Sequence, residues 1–228
     1  MAYDTQNPLP SKYLLSFDYL FTSDELKLIV QNSTVVRCNK GDVIFKQGMR
    51  TSHLMFLRSG LVKIYKESKS KVMILKLTTP NNFMGLLSMF GQDTYQYSAA
   101  AVDLSEVVII DIQAIKTLVD QNNKFASELL KITSRDGLFI FEKLMNFYQK
   151  QLPGRIADVI LYFAEEIYHN YSFTFPLARR ELAELAGTTK ESFIRTLTEF
   201  KNDLIIELDG KKVDVKSLKI LQKLSQIG

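Results

Sequence analysis

Between Thr34 and Asp111 the chain never sustains one pattern for long. Short β-branched and aromatic runs follow one another: Val35–Cys38, Val43–Phe45, His53–Leu57, Leu61–Tyr65, Val72–Leu77, Tyr97–Val102 and Glu106–Asp111. Gly41, Gly48 and Gly60 fall between them, where turns need a positive φ that glycine adopts at little cost. Runs this short cannot bury themselves singly. They must pair, and their near-regular spacing predicts a compact antiparallel barrel or sandwich.

Around that β-rich stretch the spacing of apolar residues is helical. Ser23–Asn32 reads as a short helix with Ser23 as cap and Leu26, Ile29 and Val30 on one face. Ala114–Asp120 reads as another. Lys124–Tyr148 runs without proline and carries two apolar stripes, one through Phe125, Ile132 and Phe139 and one through Leu130, Gly137 and Leu144. A helix with two stripes can pack on its own domain with one and on a second helix with the other. Gly137 costs roughly 1 kcal/mol in a helix interior relative to alanine, and close helix–helix approach at a dimer seam is its expected use. Pro153-Gly154 ends this helix and marks a domain boundary, and Arg155–His169 is a further amphipathic helix.

The stretch from Pro176 to Leu197 has a definite logic. A helix over Arg179–Ala186 buries Leu182, Ala183, Leu185 and Ala186; Gly187 permits a sharp turn; and Thr188 or Thr189 caps the next helix, with Glu191 in its first turn. Phe193, Leu197 and Phe200 hold that second helix to a core, while Lys190, Glu191, Ile194 and Arg195 project outward near its start. This is how a helix-turn-helix presents side chains to base edges in the major groove. Arginine can bond guanine O6 and N7, and glutamate can accept from cytosine N4. Leu204–Val215 reads as a hairpin turning at Asp209-Gly210, a wing that places Lys211 and Lys212 near phosphates.

Charge neither supports nor opposes this reading. The net charge is +4, but from Pro153 onward 11 Lys/Arg face 11 Asp/Glu, so a DNA footprint must come from where the charges sit. The single cysteine, Cys38, excludes an intrachain disulfide framework and cannot alone hold an iron–sulfur cluster. No apolar stretch approaches the ~20 residues needed to span a bilayer, and Met1–Pro8 lacks the features of a signal peptide. The cytoplasm is the expected compartment and no membrane partner is expected. No serine–histidine–acid or phosphate-loop motif is present, so no enzymatic activity is expected.

These residues resemble the catabolite activator/fumarate-nitrate regulator (CRP/FNR) family of bacterial transcription regulators. The resemblance rests first on Arg180–Leu197, then on Gly154-Arg155-Ile156-Ala157, and in the β-rich half on Lys40–Gly48, Ser59–Ile64 and Asn82–Gly85. It implies an α+β chain in three parts: a cyclic-nucleotide-binding-type β-roll over 1–121, a dimerisation helix and hinge over 122–152, and a winged helix-turn-helix over 153–228. It implies a homodimer on palindromic double-stranded DNA, working with RNA polymerase, that shifts its recognition helices by hinging near Gln151–Gly154. Glu191 and Arg195 would be the main base-reading pair, with Lys190 beside them. Ile194 would face a thymine methyl, Thr189 would contact backbone phosphate, and Arg179 would join the DNA-contacting set.

The sensor half departs from the family. Cyclic-AMP binders of the family carry a glutamate after the Phe-x-Gly turn and an Arg-Ser pair soon after. Here Leu86 follows Gly85, the pair reads Tyr97-Ser98, and no arginine lies between Arg58 and Arg135. A phosphate therefore lacks its guanidinium partner on this wall, and the dimer-helix positions that would meet the base are Ile140 and Phe141. Cyclic-AMP binding is not expected. The expected effector pocket, Gly85, Leu86, Leu87, Tyr97, Ser98, Ile140 and Phe141, suits an uncharged or apolar ligand if it takes any. No cofactor is expected, with haem-based gas or redox sensing left as an alternative. His53 and His169 read as structural residues, and Cys38 as a small buried hydrophobe that oxidation could reach. A cupin-like barrel would need more histidines in the β-rich half than His53, and a winged helix used for protein contact is the remaining alternative.

Overall fold

The structure is a computed structural model that describes residues 18–69 and 71–227. The readings of Met1–Pro8 lie outside the described residues. The elements in chain order are α1 (Ser23–Gln31), β1 (Ser33–Cys38), β2 (Val43–Phe45), β3 (His53–Ser59), β4 (Val62–Ser68), β5 (Lys71–Thr78), β6 (Asn82–Met84), α2 (Leu86–Met89), β7 (Ser98–Ala101), β8 (Ser105–Asp111), α3 (Ile112–Gln121) and α4 (Asn123–Gln149). They continue with α5 (Leu152–Leu161), a π-helical turn (Tyr162–Ile167), β9 (Ser172–Thr174), α6 (Arg179–Ala186), α7 (Lys190–Asn202), β10 (Ile206–Asp209), β11 (Lys212–Val215) and α8 (Leu218–Ile227). The fold is α+β, as expected. Contacts divide it into two units, one reaching to Lys71 and resuming over Leu75–Leu138, the other formed by Val72–Ile74 with the chain from Phe139 on.

The first unit is built on two four-stranded sheets, ordered β1-β8-β3-β6 and β2-β7-β4-β5. Each recorded pairing within them is antiparallel, with β3 lying against both β8 and β6. The alternation of side chains along a strand decides what each face does. On β3, Met55 and Leu57 enter an apolar cluster shared with Val36, Phe45, Ile64 and Val107. Leu54 and Phe56, one residue out of step, enter a second cluster with α1, α3 and the start of α4. Both faces of β3 are therefore buried, which explains its unbroken apolar run. Gly41, Gly48 and Gly60 all have φ between +85° and +93°, as turns of that kind require.

Three local readings shift. The cap of α1 is Thr22, not Ser23: Thr22 Oγ1 accepts from the Glu25 amide while Glu25 Oε2 accepts from the Thr22 amide, a reciprocal capping box. The wing turns at Gly210-Lys211, because Asp209 pairs with Lys212 and leaves those two residues in the loop. The helix expected over Arg155–His169 starts earlier, at Leu152 with Pro153 in its first turn, and ends in the π-helical turn.

The long helix α4 treats its two stripes differently. Phe125 and Leu129 are buried in the second cluster, where Phe125 meets Phe21 at 4.9 Å and Phe83 at 6.5 Å between ring centroids. Ile132 packs partly against the same cluster. Leu130, Leu138, Phe141, Leu144 and Tyr148 instead are exposed, between 61% and 86%. Among the described residues no helix is long and apolar enough to cross a membrane.

Phe125 anchors α4 to the sheets, so Phe125→Ala is expected to lower unfolding free energy by about 3–5 kcal/mol. Lys124→Ala, at an exposed position of the same helix outside both stripes, is expected to change it by less than about 0.5 kcal/mol. Urea unfolding of the two variants checks this contrast.

Candidate nucleic-acid interface and effector pocket

The second unit holds the helix-turn-helix. Helix α6 ends at Gly187, whose left-handed backbone (φ 64°, ψ 44°) turns the chain, and the Thr188 amide donates to the Ala183 carbonyl at 2.9 Å. Thr189, not Thr188, caps α7: its Oγ1 accepts from the Ser192 amide at 3.2 Å. Phe193, Thr196, Leu197 and Phe200 are buried. Lys190, Glu191, Ile194 and Arg195 are all exposed on the opposite side of α7. They form one outward row, with Arg195 Nε 4.0 Å from Glu199 Oε1.

The wing is a three-stranded sheet, β10-β11-β9, whose third strand lies ahead of the helix-turn-helix. Lys211 is exposed at the turn, and its carbonyl accepts from the Phe175 amide at 3.0 Å. Lys212 Nζ is 3.6 Å from Asp214 Oδ2. Arg179, grouped by sequence with the DNA-contacting residues, is half-buried. Its Nη2 donates to the Gly210 carbonyl at the wing turn, and its guanidinium stands 5.5 Å from the Phe175 ring centroid. Burial lowers its pKa below the usual arginine value. This side chain holds the wing turn to the start of α6. Position 178 is what sequence reading missed. A helix N-cap normally carries Ser, Thr, Asp or Asn, but Ala178 supplies no side-chain acceptor to the first-turn amides of α6.

The residues of the expected pocket differ in burial and fall in both units. Leu86 is buried in the core cluster with Phe56 and Phe83, while Leu87 is exposed. Ser98 is fully buried, and its Oγ accepts from the Gln47 amide at 2.9 Å. Tyr97 is half-buried, its ring edge-on to Phe45 at 5.7 Å. Burial holds its phenol above the usual tyrosine range, the Asp136 carboxylate pushes the same way, and backbone hydrogen bonds from Gly85 and Leu87 pull against both. Asp136, on α4, pairs with Lys76 of β5. Ile140 and Phe141 belong to the second unit and are exposed. His53 Nδ1 shares a hydrogen bond with Ser52 Oγ at 2.8 Å. Cys38 is buried, its thiol pushed up by burial and by Asp42.

Further along α4, Lys143 Nζ donates to the Ile74 carbonyl of β5 at 2.9 Å and lies 5.8 Å from the Phe147 ring centroid. Burial pushes its pKa down to about 8.

Comparison with known proteins places both halves. Residues 35–122 match the family profile "Cyclic nucleotide-binding domain" and residues 154–224 the "Crp-like helix-turn-helix domain". The chain is 25% identical over 179 residues to the "CRP-like cAMP-activated global transcriptional regulator" of Mycobacterium tuberculosis, covering 76% of this chain and 80% of that one. It is 24% identical over 196 residues to the "Anaerobic regulatory protein" of Bacillus subtilis, covering 83% and 82%. A solved structure of a transcriptional regulator from Eubacterium rectale superposes with a TM-score of 0.79 at 17% identity, over 93% of this chain and 99% of that one, which shows the fold.

The Lys143 ammonium gives a pH dependence whose sign is fixed. Its folded pKa of about 8 lies below the ordinary 10.5, so across that window the unfolded chain binds more protons and stability rises with pH. Relative to Lys143→Met, which keeps an apolar stem but cannot titrate, the native chain is expected to gain stability between pH 8 and pH 10. Parallel denaturant titrations across that range measure the difference.

Proposed function

The chain belongs to the CRP/FNR family of transcription regulators and carries that family's helix-turn-helix DNA-binding domain, and we propose that it acts as a homodimer on a palindromic DNA site. The observation that carries this reading is the outward row on α7: Lys190, Glu191, Ile194 and Arg195 all face solvent while the other side of the helix is sealed by Phe193, Leu197 and Phe200. In this reading Arg195 and Glu191 take base edges, Ile194 meets a thymine methyl, and Lys190 and Thr189 attend the backbone. Lys211 reaches phosphate from the wing turn. The uncapped first-turn amides of α6 suit the same backbone, since unsatisfied N–H groups at a helix start favour anions. Arg179 acts chiefly by holding the wing.

Dimerisation is proposed through the exposed stripe of α4. Leu130, Gly137 and Leu144 recur every seventh residue, and Phe141 and Tyr148 recur at the same interval between them. Large apolar side chains this exposed, aligned at heptad spacing, are what a parallel helix pair covers. A side chain at Gly137 would meet nothing within 4 Å in the single chain, so nothing within the chain itself demands glycine there. Close approach of a second α4 would.

Cyclic AMP is not the proposed effector. Leu86 is committed to the core, Tyr97 stands where the family's arginine would grip the phosphate, and Asp136, which acts on the Tyr97 phenol, already holds Lys76 in an ion pair. An anionic ligand there meets a carboxylate and a phenol. An uncharged ligand, or none, fits this environment better. Neither Cys38, buried with a raised pKa, nor His53, bonded to Ser52, favours haem or redox sensing. Contact with RNA polymerase is proposed from the family alone.

Fluorescence anisotropy with a duplex enriched by the protein from a randomised library tests the DNA reading. Glu191→Ala with Arg195→Ala is expected to weaken binding by about tenfold or more, since a good base contact discriminates by 1–3 kcal/mol. Affinity should also fall steeply with salt. Unchanged affinity in the double variant overturns the assignment of reading residues. In sedimentation, Phe141→Glu with Leu144→Glu is expected to yield monomers, and a retained dimer overturns the α4 seam.

A further inference from the structure

We infer that Phe147, in the last turns of α4, positions the recognition helix by serving as the seat on which the turn between α6 and α7 rests. This inference depends on the DNA-binding reading of α7. The observation behind it is at Gly187. A Cβ built on that residue would lie 2.5 Å from Phe147 Cε1 and 3.1 Å from both Cδ1 and Cζ. The ring is therefore pressed against the bare backbone of the turn. Position 187 favours glycine for two separate reasons, its left-handed φ and this contact, and only the second involves Phe147.

The seat is braced by two cations within the second unit. Lys143 Nζ and the Arg155 guanidinium stand 5.8 Å and 5.9 Å from the Phe147 ring centroid, which restricts where the ring can move. Arg155 Nε donates to the Ala186 carbonyl at 3.2 Å, the last residue of α6, and its Nη1 donates to the Lys150 carbonyl at 3.1 Å, just beyond α4. Lys150 Nζ in turn bonds both carboxylate oxygens of Asp158 on α5 at 2.8 Å, and Ser225 Oγ of α8 donates to Asp158 Oδ1 at 2.5 Å. The stretch expected to hinge, Gln151–Gly154, is thus spanned by two ties. The end of α4, the start of α5 and the helix-turn-helix turn form one braced piece.

A direct consequence follows for α7. Its N-cap, Thr189, is two residues beyond Gly187, so the placement of the turn on Phe147 sets where Lys190, Glu191, Ile194 and Arg195 begin. A displacement of the last turns of α4 reaches the reading residues through this contact without passing along α5.

The two reasons for glycine can be separated. Asparagine tolerates the left-handed backbone, so the main penalty of Gly187→Asn is its Cβ against the ring. Gly187→Asn is expected to weaken binding to the enriched duplex by about tenfold, and Phe147→Ala alone by a similar factor, with Phe147→Leu, which retains an apolar seat, within about threefold of the native chain. The decisive variant combines Gly187→Asn with Phe147→Ala: with no ring to strike, it should bind at least about threefold more tightly than Gly187→Asn alone. Losses that simply multiply overturn the seat, as does a Phe147→Leu value equal to that of Phe147→Ala. Circular dichroism and thermal melting of each variant separate a misplaced α7 from an unfolded one, and the same Phe147–Gly187 coupling should appear in melting temperature. A native chain that enriches no duplex overturns the DNA-binding reading and this inference with it, whereas additive losses on a duplex the native chain binds overturn the seat alone.

Discussion

The insertion of Phe125 and Leu129 into the core of the first unit is the interaction on which the placement of α4 there depends. It fixes the rotation of α4 about its axis, and with it which residues the remaining turns present. Once Phe125 and Leu129 face inward, Leu130 and Leu138 must face out. A helical residue lies near those three or four positions away and opposite those about two away. The burial of one stripe thus creates the exposure of the other. Two charged ties from β5, Lys76 to Asp136 and Lys143 to the Ile74 carbonyl, lie seven residues apart on α4 and two residues apart on the strand. They hold one side of α4 against β5 and leave the apolar stripe uncovered.

How much of this could be read from the sequence depended on element length and on what each side chain competes with. Helix α6 was legible to the residue because Gly187 stops it and its apolar positions repeat through two turns. For α7 the choice between Thr188 and Thr189 stayed open, since both can cap; the hydrogen bond from the Ser192 amide decides it. Strand β9 is three residues long, too short for alternation to show. The π-helical turn over Tyr162–Ile167 was read as ordinary helix, because six residues do not separate the two periods. Helix α8 went unread although Leu218, Leu221 and Leu224 recur at helical spacing. The two stripes of α4 were visible as periodicity, but which stripe the core would take was not. Phe125 decides it by being close enough in sequence to α3 to pack in the same cluster.

The candidate site shows the opposite difficulty: residue type was readable and direction was not. Arg179 and Arg155 both look like surface cations in a DNA-binding half. One hydrogen-bonds the wing turn and stacks on Phe175; the other bonds two carbonyls beside Phe147. A guanidinium has five donors in a planar fork and suits either phosphate or a set of orphan carbonyls, so composition cannot choose between them. In the sensor the same ambiguity attaches to Tyr97. Its hydroxyl could serve a ligand, but its ring is half-buried and packs edge-on to Phe45.

These internal uses explain how a half with balanced charge can still present a cationic surface. Lys150 is paired with Asp158, Arg180 with Glu184, Lys212 with Asp214 and Lys216 with Glu207. Four of the 11 acidic residues from Pro153 onward are thereby answered locally, close to the cation each one neutralises. Lys190 and Lys211 make no ion pair among the described residues, and Arg195 has only a 4.0 Å approach to Glu199 with both side chains mostly exposed. An exposed pair at that distance contributes little and yields readily to a better partner. Unpaired cations therefore stand at the start of α7 and at the wing turn, the two places where a winged helix meets the phosphate backbone, besides Lys219 and Lys223 on α8. The sum of charges conceals this, because the residues that cancel in the count do not cancel in space.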